Sequence, residues 1–309
     1  MPNRPLQLRH NLKTHLPMNP KTKNLLVRTA AGAVYVALMV SGTFCPPLMC
    51  GLMIAVSCLA VFEFGKLTSG PVDKLAQLFL MLVAVVLQIC LLVSYYQHRG
   101  GWWLDDKGAI FFIFQGLVLS SLFAAAFFLT IRELFSANPC PIEHISKSVW
   151  GVLWIAIPLA AISTLSYVRP SDALAFFILI WANDTFAYLG GTLLGKHKMC
   201  PRISPGKTWE GTAVGCLMTM LLAWFLPLIP YFGSARPVHC DWILFALMTV
   251  VFGTFGDLLE SLFKRNAGVK DSGNVMPGHG GMLDRFDSML FAAVPALVYV
   301  MAYFISAAY

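Results

Sequence analysis

Residues 257–287 bring carboxylates, lysines, arginines and a histidine together in one short segment. Only 12% of the whole chain is charged and 58% is hydrophobic, so this segment differs sharply from its surroundings. Charge at this density beside a lipid bilayer is costly unless the groups bind something. Carboxylate oxygens are ligands for divalent cations, and lysine and arginine bind phosphate groups. The segment therefore predicts a binding site for metal ions and phosphates.

The first part of this segment places four functional groups on one side of a helix. Asp257, Glu260, Ser261 and Lys264 follow one another at the spacing i, i+3, i+4 and i+7. Residues at this spacing share one face of an α-helix. The end of an apolar helix would thus present two carboxylates, a hydroxyl and an ammonium group in one direction.

The last part repeats the spacing, because Asp284 and Asp287 stand at i and i+3 where the final apolar run begins. The stretch 266–283 that precedes them is rich in glycine, which lets backbone N–H groups approach an anion closely. We therefore expect two opposed helix ends to form a cage for hard divalent cations, which prefer oxygen ligands. The expected ligands are Asp257, Glu260, Asp284 and Asp287. The alternative is a solvated charged loop in which Asp284 caps the last helix.

A second polar group lies in residues 181–191, WANDTFAYLGG. Asp184 falls inside a predicted membrane span, with Tyr188 one helical turn later. Insertion scales put an Asp at mid-membrane about 2.5–3.5 kcal/mol unfavourable, so its side chain should face the protein interior and have a partner. It either makes a structural hydrogen bond to another span or lines the cavity formed by residues 257–287.

A third polar group lies in the basic loop 195–211. Its end looks like the tail of a P-loop, but Pro201 stands where that motif requires its first glycine. What remains is Ser204, Lys207 and Thr208 leading into the next apolar run. These hydroxyls and the free N–H groups of a first helical turn are suited to hold a phosphate.

The apolar blocks place the chain among polytopic membrane proteins. The mean hydropathy is +0.70, and the blocks have about the 20 residues that cross the hydrocarbon core as a helix. We predict an all-α fold with nine transmembrane spans and no sizeable water-soluble domain. The predicted spans are 27–45, 46–64, 75–96, 109–130, 149–167, 173–194, 211–231, 242–263 and 288–308. The net charge of +7 does not indicate nucleic-acid binding, because no basic stripe with interleaved aromatics stands clear of the membrane.

The distribution of lysine and arginine predicts that the N-terminus is cytoplasmic. Membrane proteins carry an excess of these residues in their cytoplasmic loops. With nine spans, 18 of the 22 fall on the inner side, and the outer loops contain only Arg99, Lys107, Arg169 and Arg236. The polar loops 195–210 and 264–287 then face the cytoplasm, the side on which nucleotides are found.

Other polar residues carry weaker signals. Glu63 and Glu133 lie near the ends of apolar runs and are predicted to be interfacial. The eight cysteines form no C-x-x-C pair, and we interpret them as small hydrophobic residues of the core.

The long charged segment follows a pattern known from one enzyme family. Residues 261–287 read S-x-F-K-R-x4-K-D-x-G-x3-P-x-H-G-G-x2-D-R-F-D, and two shorter stretches, D-T-x-A-Y from Asp184 and S-P-x-K-T-x-E-G from Ser204, accompany it. Together they closely resemble the hallmarks of the CDP-diacylglycerol synthases, or phosphatidate cytidylyltransferases. The resemblance covers residues 173–309 well, whereas the earlier spans match only in hydrophobicity and number. Gly206 departs from the family, because many members have Lys there, and the loop loses one charge for contacting phosphate.

The resemblance implies that CTP and phosphatidate give CDP-diacylglycerol and pyrophosphate, with Mg²⁺ required. It assigns the metal to the four carboxylates named above. The implied catalytic residues are Lys264, Arg265, Lys270, Asp271, His279 and Arg285. The implied substrate-binding residues are Ser204, Lys207, Thr208, Ser261, Gly280, Gly281 and Asp184.

The resemblance also divides the chain into regions. Residues 1–26 would form a basic cytoplasmic tail, 27–172 a scaffold of transmembrane helices, and 173–309 the catalytic transmembrane region. We expect an integral protein of the bacterial inner membrane whose site faces the cytoplasm. Its expected partners are CTP, phosphatidate and membrane lipids, with no nucleic acid, and a homodimer stays an open alternative.

Two other functions remain as alternatives. A CTP-dependent enzyme acting on another lipid, such as a polyprenol, would use the same metal chemistry and differ only in the acceptor. An ion-coupled transporter would use Asp184 and Asp257 as intramembrane ion sites. Against it, the polar residues cluster at one face instead of the midplane, and the sequence contains no evident inverted repeat.

Overall fold

Helices form almost all of the described part of the protein. The computed structural model describes residues 20–68, 74–100, 127, 128, 131, 135, 141–234, 236, 238–275 and 280–308. In chain order the elements are α1 (Pro20–Phe44), α2 (Pro46–Leu67), α3 (Lys74–Gly100), α4 (Pro141–Gly151), a π-helical turn (Val152–Ala156), α5 (Ile157–Val168), α6 (Pro170–Leu194), β1 (Lys198–Cys200), β2 (Ser204–Thr208), α7 (Trp209–Phe225), a 3₁₀ turn (Leu226–Leu228), α8 (Pro230–Gly233), α9 (His239–Asn266) and α10 (Leu283–Ala308).

Seven helices in the described ranges are long and apolar enough to cross a membrane, which confirms the all-α, polytopic membrane class. They run over Pro46–Leu67, Ala76–Tyr96, Ile145–Val168, Pro170–Leu194, Trp209–Leu228, His239–Asn266 and Leu283–Tyr303. Each corresponds to one predicted span. Predicted span 27–45 coincides with most of α1, and 109–130 lies almost wholly outside the described residues. The count of nine and the cytoplasmic N-terminus stay predictions.

Proline sets the boundaries of several helices. Pro46 and Pro170 stand in the first turns of α2 and α6, where the missing N–H group costs nothing. Pro158 stands in the first turn of α5 and has no N–H group to donate a hydrogen bond to the preceding turn. At this point the helix widens into the π-helical turn. Because the π-helical turn continues directly into α5, the stretch Ile145–Val168 still forms one span.

The central helix of the bundle is α5, which contacts α1, α2, α3, α6 and α10. Its residues from Pro158 to Ser163 are all buried. The helices α6 and α10 pack against it, α7 packs against α6, α9 packs against α10, and α7 also contacts α9. Three of these helices, α6, α9 and α10, carry predicted site residues, and the segments that lead into α7 and α10 carry the others that the structure describes.

Two glycines let these helices approach closely. A Cβ atom on Gly211 of α7 would lie 2.7 Å from the carbonyl oxygen of Ala187 and 2.8 Å from the Cα atom of Gly191 on α6. A Cβ atom on Gly256 of α9 would lie 2.5 Å from the carbonyl oxygen of Asp287 on α10. Small residues at helix crossings let backbones meet in membrane proteins. Here they bring the helix of Asp184 beside α7, and Asp257 beside Asp287.

A short β-hairpin in the loop 195–208 was not expected for an all-α chain. Strands β1 and β2 pair antiparallel, with Lys198 opposite Thr208 and Cys200 opposite Ser204. The carboxylate of Glu210 accepts hydrogen bonds from the N–H groups of Lys196 and His197, which ties the hairpin to the first turn of α7. The hairpin thus gives a fixed shape to a loop that the sequence presented only as basic.

A buried ion pair closes the other end of the bundle. Arg236 donates to the carboxylate of Asp172 at 3.1 Å, and both side chains are fully buried. The Arg236 guanidinium also lies 4.2 Å from the ring centre of Tyr303. This pair fixes the start of α6 to the segment before α9, whereas the predicted α9 site residues lie near the other end of that helix.

Candidate active site

The first part of the site joins α9 to the hairpin. The Nζ atom of Lys207 lies 2.6 Å from the carboxylate of Asp257 and 3.5 Å from the carbonyl oxygen of Thr254. The hydroxyl of Ser261 donates to the other oxygen of Asp257 at 3.4 Å. The predicted α9 face therefore exists, and its first carboxylate is paired with the lysine of the basic loop.

The second part of the site joins α9 to α10 through Lys264. Its Nζ atom lies 2.6 Å from the carboxylate of Glu260, one turn earlier, and 2.8 Å from the carboxylate of Asp284. Glu260 is fully buried, and its Oε1 atom has no hydrogen-bond partner. The carboxylates of the last two helices thus meet at one ammonium group, on the same side of the molecule.

Asp284 also organises the loop between these helices. Its carboxylate accepts hydrogen bonds from the N–H group of Ser272 at 3.0 Å and from that of Gly281 at 2.7 Å. Gly280 adopts a φ of 84°, a conformation that glycine favours, and a Cβ atom there would lie 2.7 Å from Asp284. Asp284 therefore fixes residues of the loop before its own helix and also contacts Lys264. Its capping role and its metal role both stay predictions.

Three carboxylates from three different helices lie near one another beside these ion pairs. Asp184 of α6, Asp257 of α9 and Asp287 of α10 lie close enough for their charges to act on one another. Lys207 and Arg285 supply opposite charge at Asp184. Three carboxylates with mutual repulsion favour any cation that enters between them. The predicted wall of the cavity at Asp184 is consistent with this position.

The donor atoms are of the kind that a metal ion needs, but they are not arranged around a common point. Among the described residues, no group of three or more His, Cys, Asp or Glu side chains is arranged to hold a metal ion. Asp257 and Asp284 are paired with lysines instead. The donors are nevertheless all oxygen, and the Oε1 atom of Glu260 is buried without a partner, which suits a hard cation. The metal roles assigned to Asp257, Glu260, Asp284 and Asp287 stay predictions.

The other predicted catalytic residues differ in their contacts and exposure, as far as the structure describes them. Arg265 donates to the carbonyl oxygens of Ile203 and Val269, which fastens the hairpin to the end of α9. Lys270, Asp271 and Arg285 are exposed at the surface of the loop and of α10. His279 lies outside the described residues. Their catalytic roles stay predictions.

Two of the predicted phosphate contacts already have local structural roles. Thr208 is buried and accepts a hydrogen bond from the N–H group of Gly211, so it is the N-cap of α7. Ser204 lies half-buried in β2, opposite Cys200. Lys207 is the member of this group that reaches a carboxylate of the site.

The sequence missed Glu63, which was predicted to be interfacial. It is only 1% exposed, and its carboxylate accepts hydrogen bonds from the N–H groups of Met282 and Leu283 and from the Ser272 hydroxyl. Glu63 is therefore buried beneath the loop before α10 and does not face solvent, while its depth at the membrane interface stays a prediction. The one available signal was a carboxylate among the apolar residues of an otherwise uncharged run.

Comparison with known proteins agrees with this geometry. Residues 24–304 match the model of the Cytidylyltransferase family. The chain is 32% identical over 257 residues to the phosphatidate cytidylyltransferase of Staphylococcus saprophyticus subsp. saprophyticus, an alignment that covers 80% of this chain and 90% of that protein. The phosphatidate cytidylyltransferase of Staphylococcus aureus (strain COL) is 34% identical over the same length and coverage.

The protein is a helical membrane bundle with lysines and carboxylates gathered at one end, and these enzymes match it over most of its length. It is therefore a membrane-embedded nucleotidyltransferase. The chain belongs to the cytidylyltransferase family. The family predicted from the three sequence segments is therefore confirmed.

Proposed function

We propose that the protein transfers a cytidylyl group from CTP to phosphatidate, giving CDP-diacylglycerol and pyrophosphate. The observation that carries this proposal is the meeting of Lys207, Lys264 and five carboxylates from three helices at one end of a membrane bundle. Two relatives that align over 90% of their own length are named phosphatidate cytidylyltransferase.

The reaction needs charge control more than a strong base. A phosphate oxygen of phosphatidate forms a bond to the α-phosphorus of CTP, and the bond from that phosphorus to the pyrophosphate oxygen breaks. The attacking oxygen is already anionic. The barrier lies in bringing two polyanions together and in stabilising the charge of the departing pyrophosphate, and cationic groups held in place do both.

The lysines are suited to this task. In the structure Lys207 and Lys264 each lie against a carboxylate. When a nucleotide binds, these ammonium groups are positioned to contact its phosphate oxygens, because both lysine side chains are partly exposed. Arg285 stands beside Asp284 on the first turn of α10 and is exposed on the same end. Together they would neutralise the triphosphate while the hairpin holds Lys207 in place.

Mg²⁺ would be held by carboxylates from Asp257, Glu260, Asp284 and Asp287, and when bound it would neutralise phosphate charge as a Lewis acid. The residues themselves must then exchange partners. Asp257 would release Lys207, and Asp284 would release Lys264, so each freed lysine becomes available to the nucleotide. The proposed orientation puts this site at the cytoplasmic face of the bacterial inner membrane, and phosphatidate would reach it laterally from the bilayer.

The test is a transfer assay on the purified full chain in lipid nanodiscs. Labelled CTP is offered with phosphatidate, with a polyprenol, with a polyprenyl phosphate and with no added lipid, each with Mg²⁺ or with a chelator. We expect labelled CDP-diacylglycerol only with phosphatidate and Mg²⁺. Label transferred to a polyprenyl acceptor but not to phosphatidate would replace this proposal with the alternative acceptor.

The variant Asp284→Asn tests the placement of the site. It removes one charge from the centre, and we expect turnover to fall at least about 100-fold. The matched control is Asp241→Asn, at the first turn of α9 and thus at the opposite end of the same helix. Equal activity of the two variants would contradict the proposed centre.

A further inference from the structure

Glu63 is a buried carboxylate from the region predicted to be scaffold only. It lies near the end of α2, and its two oxygens take three hydrogen bonds from the loop before α10, over 209 to 220 residues of chain. The bond lengths are 2.8–2.9 Å. A charge that is 1% exposed persists only when it is this fully paired.

These bonds continue into the centre of the site. The Ser272 hydroxyl donates to Glu63 at 2.9 Å, while the Ser272 N–H group donates to Asp284 at 3.0 Å. Asp284 in turn contacts Lys264, which contacts Glu260. A continuous chain of hydrogen bonds therefore runs from α2 through the loop to α10 and back to α9.

The Glu63 carboxylate is closely surrounded by the loop before α10. A Cβ atom at Gly273 or at Gly281 would collide with the Glu63 carboxylate. The next residue on α2, Phe64, packs edge-on against Phe263 of α9, whose neighbour is Lys264. Both the carboxylate and the helix that carries it are thus fixed with respect to α9.

A helix cap alone would account for two of the three contacts. The N–H groups of Met282 and Leu283, at the start of α10, have no acceptor within the helix and donate to Glu63 instead. A carboxylate at this position stabilises the start of a helix. A cap, however, does not require the third contact, the hydrogen bond from the Ser272 hydroxyl. The third contact links Glu63 to the residue that orients Asp284.

We propose that Glu63 is a positioning residue for the nucleotidyl transfer: it holds Ser272 and the start of α10 so that Asp284 and Lys264 meet Glu260 in one geometry. The proposal rests on the proposed function for the reaction that is positioned. It gives the N-terminal half of the chain a direct part in the site.

The test compares Glu63→Gln with the control Ser163→Ala. The first substitution keeps the size of the side chain but turns an amide NH₂ group toward hydrogen-bond donors. Ser163→Ala removes a buried hydrogen bond of 2.6 Å to Gln88, also within the region predicted to be scaffold, and neither residue contacts the site's ion pairs. Two readouts are made on full-length protein in nanodiscs: amide hydrogen exchange of the peptide that contains Met282 and Leu283, and kcat and KM for CTP and phosphatidate per folded molecule.

For Glu63→Gln we expect faster exchange in that peptide and a fall in kcat of about 10- to 100-fold, the range for residues that orient a site, with KM for phosphatidate nearly unchanged. Glu63→Asp, which keeps the charge, should recover part of kcat. For Ser163→Ala we expect a lower melting temperature and unchanged kcat. Unchanged exchange in Glu63→Gln, or faster exchange with full kcat, overturns the proposal.

Ser272→Ala replaces Glu63→Gln if the latter does not fold. It removes one of the three bonds and leaves both backbone contacts, so a smaller fall in kcat supports the proposal and an unchanged kcat overturns it. If the unaltered protein transfers no label from CTP to phosphatidate, the proposed function fails. The hold of Glu63 on the loop is then judged by hydrogen exchange alone.

Discussion

Lys264 is the residue on which the two final helices converge. It is 11% exposed and contacts Glu260 and Asp284, so its removal would leave a fully buried carboxylate without a counter-charge. Asp284 would still have the N–H groups of Ser272 and Gly281. Glu260 therefore bears most of the cost of losing this lysine.

Replacing Lys264 by Met should lower the free energy of unfolding by about 3–5 kcal/mol, the range for breaking one side of a buried ion pair. The double variant Lys264→Met with Glu260→Gln should recover most of that stability, because both charges are gone. Both variants should remain inactive in cytidylyl transfer. Thermal unfolding in detergent and the CTP transfer assay measure the two effects separately. A double variant as active as the unaltered protein would remove Lys264 from the chemistry.

Gly206 is the position at which the resemblance described above predicts a lysine in many members of the family. It is exposed, and a Cβ atom there would have no neighbour within 4 Å. A longer side chain can therefore be added without disturbing the hairpin.

Gly206→Lys should leave the melting temperature unchanged and lower the KM for CTP about two- to fivefold at low ionic strength, the effect of one exposed charge pair. The effect should vanish at high salt, where such charges are screened. Gly206→Gln is the control of similar reach without charge. Equal KM values for the two variants at low salt would contradict a phosphate contact from this loop.

At the scale of elements, the site depends on how closely α9 and α10 cross. Gly256 lies at this crossing, where a Cβ atom would also meet the Cβ atom of Phe291 at 2.8 Å. One turn earlier, at Gly253, the nearest atom to an added Cβ is 3.6 Å away. The two positions differ in packing but share one helix and one face.

Gly256→Ala should therefore destabilise the protein by about 1–3 kcal/mol, the usual cost of overpacking, and should lower activity by shifting Asp287 away from Asp257. Gly253→Ala should be close to neutral in both respects. Thermal unfolding and the transfer assay on both variants measure this difference. Equal behaviour of the pair would show that the crossing tolerates extra volume and that the site does not depend on it.

Local patterns in the sequence predicted the parts of the site that lie close together along the chain. Glu260 and Lys264 stand one helical turn apart and share the predicted helix face, where they contact each other. The contact of Glu63 with Ser272 spans 209 residues, and no periodic pattern encodes a contact over that distance. The hairpin was missed because strands of three and five residues are too short for a readable alternation.

At the scale of the whole molecule, the site and the buried pair of Asp172 with Arg236 lie at opposite ends of the helix bundle. Arg236 belongs to a predicted outer loop, and Lys207 belongs to a predicted inner loop. The orientation predicted from the basic residues thus puts the hairpin in the cytoplasm and the start of α9 outside.

Cysteine labelling in intact cells tests this orientation. Cys240 is exposed at the start of α9, and Lys198 is exposed in the hairpin. In a chain whose only cysteine is Cys240, a membrane-impermeant maleimide should react from outside. With Lys198→Cys as the only cysteine, it should react only after the membrane is made permeable. The reverse pattern would place the site on the outer face and exclude cytoplasmic CTP as its substrate.

The long separation between Glu63 and its partners has a consequence for biogenesis. The ribosome must add 209 residues after Glu63 before Ser272 exists. The second helix therefore enters the membrane bearing an acid whose hydrogen-bond donors have not yet been synthesised. Assembly of the site is necessarily among the last events of insertion, and a chain that stops early retains an unpaired acid that distinguishes it from the finished protein.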